Sequence, residues 1–387
     1  MHRGILNVET MVKEKRSKKK KVKIAAVVLL VLLIYPAVTY VRALTYPGAA
    51  TFAARTSDWA RQMGAGPLVN AAENWWYTRH QPADGSPSAG SLPVAQATPA
   101  SPSGPKNLAV SANPVPGEGV WVPGARDPSG TVAEYTTFVR PDVGHASVVA
   151  GIALLDQHFT RAQLIAGTKE PGGQSWPEGA QVPDASRPSL LATFNSGFKF
   201  ADTGGGFYAD GRVAQPLENG YASVVIDRAG KVSIGQWGRD FSLTPDVVSV
   251  RQNLELMVDG GKPVPGLAGN PAGQWGSAKN QFQYTWRSGV GTDAAGNLIY
   301  VGGDRLTLSS LGDAMVQAGI VRGMELDIHT GMVSFNTYRP DIAGSAPQKL
   351  LPTMPSPADR YLTKDQRDFF AITMAGSSKP GAALNQR

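Results

Sequence analysis

The spacing of apolar and polar positions divides this chain into a front and a body. Ile24 to Val41, "IAAVVLLVLLIYPAVTYV", runs 18 residues without a charge. That approaches the roughly 20 apolar residues that span a bilayer's hydrocarbon core. Residues 42–80 follow with a helical pattern through "SDWARQM" and "VNAAENWWYTRH". From "GVWVPGAR" onward the pattern shortens to β-rich runs: "TTFVRP", "SVVAGIALLD" and "AQLIAG". Hairpin signals then recur, with turns predicted at Asp210-Gly211, around Ala229-Gly230, at Asp259 to Gly261 and around Ala295-Gly296.

One helix interrupts the strands. "SSLGDAMVQAG" places Leu311, Ala314, Met315 and Ala318 on one stripe, with Ser309 or Ser310 as cap and Gly319 as stop. "IVRGMELDIHTG" reads as the next strand, with Met324, Leu326 and Ile328 on one face and Glu325, Asp327 and His329 on the other. "RDFFAITMA", Arg367 to Ala375, reads as a closing strand. Many strands with few helices predict an α+β fold around a mostly antiparallel or mixed sheet.

Composition sets the remaining boundaries. Residues 81–117 are rich in Pro, Ser, Ala and Gly and carry no aromatics, so they read as an extended or disordered spacer. The expected order is a basic cytoplasmic tail (1–23), a transmembrane helix (24–41), a helical stalk (42–80), the spacer (81–117), a folded domain (118–375) and a disordered C-terminus (376–387).

Charge removes one function class. Residues 1–23 hold nine Lys/Arg against Glu9 and Glu14, and the other residues hold 28 of each sign, so the formal charge of +7 lies wholly in the tail. A neutral body gives no nucleic-acid surface. Lysines ahead of the apolar run predict a cytoplasmic N-terminus and a body on the outer side of a cell membrane, with the bilayer as partner. A cleaved signal peptide is the rival reading. The long apolar run and the lack of an A-x-A site favour an uncleaved anchor. The chain has no cysteine, which excludes disulfides, thiolate catalysis and Cys-ligated metals together.

The order of the body's motifs resembles the phosphodiester glycosidase domain family, to which the lysosomal uncovering enzyme belongs, in a divergent form. The matched pieces are "FNSGFKF", "GGGFYADGRV", "ASVVIDRAGKVSIG", "LELMVDGGKPV", "RSGVGTDAAGNLIYV" and "LTLSSLGDAMVQAGIVRGMELD". They cover roughly Ala146 to Phe335. After its Leu-Asp the family continues Gly-Gly-Gly-Ser, whereas this chain has Ile328-His329-Thr330-Gly331.

The resemblance implies hydrolysis of a sugar linked through phosphate. It assigns Asp327 proton transfer, Arg287 the phosphate clamp, and Asn195 a hydrogen bond to sugar or phosphate. Guanidinium suits the clamp because its planar fork matches phosphate oxygens. Ser288 beside it leaves backbone N–H groups accessible, and Gly205 in its glycine run allows close ligand approach. His329, two residues after Asp327, suits proton transfer in place of the family's glycines. Glu325 reads as structural. No cofactor is expected, and calcium in the acidic turns is left open. The alternatives are a non-enzymatic envelope protein that binds glycan on the same fold, and a glycosidase acting on ordinary glycosidic bonds.

Overall fold

The computed structural model describes residues 19–24, 27, 30, 34–48, 50–93, 104–173, 175–276 and 283–375. Most of the basic tail, part of the apolar run, residues 94–103 of the spacer and the tail from 376 lie outside the described residues. Among the described residues no helix is long and apolar enough to cross a membrane.

The chain divides into two compact units. Within the first, helical residues 34–45 pack against the helix Phe52–Ala60, with Tyr40 and Trp59 rings 4.8 Å apart. Thr51 caps that helix by accepting from the Ala54 amide, and Arg55 donates to the carbonyls of Ala43, Leu44 and Tyr46. The second unit holds residues 47–50 and everything from Ala72, including the last turns of the helix Gly66–Arg79.

Turn chemistry builds the second unit. Asp210 and Gly211 take φ of 51° and 74°, the paired positive values of a two-residue hairpin turn, between Phe207–Ala209 and Arg212–Gln215. Gly260 and Gly261 do the same between Leu256–Asp259 and Lys262–Pro263. Three sheets result, and all their strand pairs are antiparallel. The fold is α+β, mostly antiparallel sheet with few helices.

The eight-stranded sheet runs Val122–Pro123, Glu134–Val139, Ala150–Leu155, Leu298–Leu306, Thr285–Asp293, Ile320–Glu325, Leu256–Asp259, Lys262–Pro263. A five-stranded sheet centres on Val247–Gln252, and another pairs Leu190–Asn195 with the closing strand Phe369–Met374. Residues of all three sheets meet in one core, where Phe194 stacks on Phe335 at 5.8 Å and on Phe370 at 5.1 Å, and Tyr300 lies 4.9 Å from Phe335.

The large sheet is buried on its other face too, by the helix Leu308–Gln317, whose Leu311 and Met315 pack with Ile152 and Val301. The cap is Thr307, not Ser309 or Ser310. Its hydroxyl accepts from the Ser310 amide, and Ser310 returns a bond to the Thr307 amide, a reciprocal box. Met315 presses onto strands that carry no Cβ there. A Cβ on Gly323 would lie 2.4 Å from Met315 Cε, and one on Gly289 would lie 2.8 Å from its Sδ.

The end of the spacer is tied to the body. Leu108 N–H donates to Gly119 O at 2.9 Å, Trp121 Nε1 donates to Lys106 O at 3.0 Å, and Arg140 reaches Ser111 and the Asn113 carbonyl. The chain there is extended but held, because buried Trp121 and half-buried Arg140 need acceptors and find them in it.

Two outcomes follow. Gly323→Ala forces Met315 out of its seat and is expected to cost roughly 1–3 kcal/mol, as overpacking does. Denaturant unfolding measures it, and an unchanged midpoint would contradict this packing. Glu134 is fully buried, neither carboxylate oxygen has a hydrogen-bond partner, and burial pushes its pKa up to about 8, Arg339 opposing. A folded pKa above the unfolded value penalises the folded state once the group ionises. Stability is therefore fullest below the ordinary glutamate range and is lost as pH rises toward 8. Glu134→Gln should gain roughly 1–3 kcal/mol over the native protein at pH 8 and nothing near pH 4. Parallel pH dependences of the two unfolding curves would contradict it.

Candidate functional site

The site forms where the Ile320–Glu325 strand ends. Beyond Glu325 the chain leaves the ladder but keeps single backbone bonds. Leu326 N–H donates to Ser288 O at 2.8 Å, Asp327 N–H to Ser196 O at 2.9 Å, and His329 N–H to Trp286 O at 2.8 Å. His329 takes φ of 75°. Such a value is costly for a residue with a Cβ, so neighbouring contacts hold it. The alternation expected through Glu325, Asp327 and His329 therefore fails, and each side chain goes to a different environment.

Glu325 faces inward, not toward solvent. It is fully buried and pairs with Arg287 at 2.8 Å. Burial pushes its carboxyl up to about 7, with Arg287 opposing. Arg287 is 1% exposed, and its Nε also donates to Leu306 O at 3.1 Å. The expected phosphate clamp is thus a buried ion-pair partner, with its fork spent on a neighbouring strand and a backbone carbonyl.

Asp327 stands at the margin of the core. Its Oδ2 lies 2.9 Å from Arg367 Nη2, with both side chains 11% exposed. Its Oδ1 accepts from the Ile328 amide at 2.9 Å. Burial raises its pKa, while Arg367, that amide, Lys199 and Arg251 pull it down. Arg367 also donates to Gly197 O at 2.9 Å, so the segment after Asn195 wraps the pair. The Ser196 hydroxyl in this wrap is buried with no hydrogen-bond partner, and half-buried Lys199 ends it. Behind them Arg251 and Asp368 form a fully buried pair at 2.7 Å.

His329 is held from another side. Its Nδ1 lies 3.2 Å from Thr285 Oγ1, and the Tyr77 ring stacks on it at 5.5 Å and 13°. The Tyr77 hydroxyl is hydrogen-bonded to Thr330 and Thr285, and burial raises its pKa. Gln283 binds Asn74, one turn earlier on the same helix, at 3.3 Å.

Asn195 and Ser288 lie beneath this surface. Asn195 Nδ2 donates to Ser288 Oγ at 3.0 Å, and its Oδ1 accepts from Tyr300 Oη and from the Ser334 amide, each at 3.0 Å. Ser288 Oγ donates to Asp327 O at 2.8 Å. Both are expected to bind substrate, but their hydrogen bonds are spent on the protein, and what they fix is the backbone of Asp327. Gly205 packs elsewhere. A Cβ there would lie 2.9 Å from Gln252 O, so the missing side chain serves chain packing.

The structure thus joins Asn195, Ser288 and Asp327 in one network, sets His329 beside it, and leaves Arg287 and Gly205 out. Sequence reasoning missed Lys199, Arg367 and Ser196. Lys199 and Ser196 lie inside "FNSGFKF", and Arg367 opens "RDFFAITMA", but none of the three positions carries a spacing signal. Among the described residues no group of three or more His, Asp or Glu could hold a metal ion. Two cavities, of ≈ 680 Å³ and ≈ 520 Å³, lie away from Asp327, and the smaller is lined by Asp202, Tyr221, Glu255 and Gln274.

No family model matches the chain, and no curated protein matches it. Among solved structures it is similar to the catalytic domain of zebrafish N-acetylglucosamine-1-phosphodiester alpha-N-acetylglucosaminidase, auto-inhibited by its pro-peptide, at TM-score 0.41 and 14% identity over 65% of this chain and 87% of that one. It is also similar to a hypothetical protein from Synechocystis, at TM-score 0.35 and 11% identity over 62% of each chain. A putative exported protein from Burkholderia pseudomallei K96243 follows, at TM-score 0.28 and 10% identity over 59% of this chain and 74% of that one.

Asn195→Ala leaves Tyr300 Oη, Ser288 Oγ and the Ser334 amide short of a partner. It is expected to cost about 1–3 kcal/mol. Thermal unfolding checks it, and a loss below a few tenths of a kcal/mol would remove Asn195 from its place as the tie between these elements.

Proposed function

We propose that this protein is a hydrolase of glycosyl phosphodiesters, anchored in a cell membrane through residues 24–41 with its body facing outward. The observation that carries the reading is the Asp327–Arg367 pair at the margin of the core, with Lys199 acting on the same carboxylate. A carboxylate paired with one cation and in the field of another meets the two demands of this chemistry, a proton acceptor and compensation for phosphate charge. The apolar run behind nine basic residues supports the anchor and its orientation.

In this reading Asp327 takes the proton of an attacking water. The water oxygen bonds to the anomeric carbon, the bond from that carbon to the phosphate oxygen breaks, and its electron pair leaves with the phosphomonoester. Arg367 and Lys199 offset the charge that develops there, the role first expected of Arg287. His329, held by Thr285, hydrogen-bonds the departing oxygen. Ser288 and Asn195 keep Asp327 in place through its carbonyl. A raised pKa makes Asp327 a stronger base than an ordinary carboxylate, which favours proton abstraction.

A second reading, glycan binding without turnover, is favoured by the ≈ 520 Å³ cavity, where two carboxylates, a phenol and an amide could meet sugar hydroxyls. The Asp327→Asn variant separates the two, because binding in that cavity survives it.

The test is release of sugar and phosphomonoester from a panel of glycosyl phosphodiesters by the full chain in detergent. Asp327→Asn is expected to lower kcat by roughly 10²–10⁴. Arg367→Ala should lower kcat/KM by at least roughly tenfold. The rate should fall on the acid side as Asp327 gains a proton, at a pH above the ordinary carboxylate range because burial raises its pKa. Folded protein that cleaves nothing in the panel would falsify the hydrolase reading, as would full activity in Asp327→Asn.

A further inference from the structure

The helix that brings Tyr77 to His329 presents two tryptophans outward. Trp75 is 53% exposed and Trp76 is 51% exposed. Of the chain's eight tryptophans, Trp121, Trp237, Trp275 and Trp286 are all buried below 8%, so this pair is exceptional in its own protein. Large aromatic rings in water forfeit the burial that makes them worth carrying, and indoles partition strongly to membrane–water interfaces. A cation and an imidazole accompany the rings. The Arg79 guanidinium lies 5.1 Å over Trp75, and the His80 ring stacks on Trp76 at 3.7 Å. The Arg79 charge suits an anionic surface.

We propose that Trp75 and Trp76, with Arg79 and His80, seat this face of the body on an anionic lipid bilayer, so that the phosphodiester reaching His329 is one carried by a membrane lipid. The substrate half of this inference rests on the hydrolase reading above. Successive helical residues rise only about 1.5 Å. Tyr77 contacts His329 directly, so the tryptophan pair fixes the site at the level of the lipid headgroups. A soluble glycan is a weaker fit to the same patch. The two indoles are tilted 46° to one another at 6.4 Å and offer no flat platform for a sugar ring, and a neutral glycan has no net charge for Arg79 to attract. The basic tail and apolar run of the same chain select the same partner.

The test uses the full chain in nanodiscs of phosphatidylcholine with a quarter phosphatidylglycerol, one set carrying brominated acyl chains that quench nearby indoles. The native protein is compared with the double variant Trp75→Phe, Trp76→Phe. Bromolipid should quench the native protein more than the variant, and the difference is the signal of the pair. Equal quenching would overturn the seating. So would a pair that stays bright in bromolipid but is shielded from aqueous iodide by soluble polysaccharide, which would give the patch to a glycan.

Cleavage is then read on a lipid-borne and a water-soluble glycosyl phosphodiester. Trp75→Ala, Trp76→Ala should lower turnover of the first by at least roughly tenfold, an effect of about 1.4 kcal/mol, and leave the second unchanged. Equal loss on both overturns the substrate assignment. If neither compound is cleaved by the native protein, the hydrolase reading has failed, and the quenching still decides the membrane seating.

Discussion

The side chain of Asn195 is the tie on which the candidate site depends. It ends a strand of one sheet, accepts from Tyr300 and donates to Ser288 on two strands of another, and accepts from the Ser334 amide. Ser288 passes the constraint on to the carbonyl of Asp327. A buried amide with both ends satisfied fixes its neighbours far more narrowly than apolar packing does. The positive φ of His329 and the inward margin position of Asp327 are arrangements that a loop would not hold alone. The aromatic cluster of Phe194, Phe335, Phe370 and Tyr300 supplies the surrounding burial that makes breaking the tie costly.

Two sealed ion pairs and a third at the margin of the core do different work. Arg287–Glu325 and Arg251–Asp368 are sealed from solvent on both sides. Such pairs repay desolvation poorly but specify which strands lie together, because separating either partner strands a charge. Arg367–Asp327 differs in lying at the margin, each side chain a tenth exposed, with Lys199 nearby. The proposed chemistry is placed on this third pair on that ground.

The fold was legible where a local rule forces the backbone. Asp210-Gly211 and Gly260-Gly261 need positive φ, and the turns stand where the sequence puts them. Leu311, Ala314 and Met315 share a stripe that only a helix makes, though the cap fell on Thr307 because its hydroxyl, not a later serine, meets the Ser310 amide. The site was legible only in part. Asp327 and His329 were named, but their common strand face was not real, since the strand stops at Glu325 and His329 turns left-handed. Arg287 was misread because its partner Glu325 lies 38 residues on, across a register no local pattern reveals. Arg367 pairs with Asp327 from 40 residues away and Lys199 acts on it electrostatically from 128 residues away, and tertiary proximity at that range leaves no periodic trace.

The central claim is that phosphate is met by Arg367 and Lys199 beside Asp327. A crystal structure of the protein with a non-hydrolysable glycosyl phosphonate tests it most directly. The account predicts the phosphonate oxygens on Arg367 and Lys199, with the sugar lying toward His329 and Tyr77. A phosphonate seated instead in the cavity of Asp202, Tyr221 and Glu255, with Asp327 and Arg367 untouched, would contradict it.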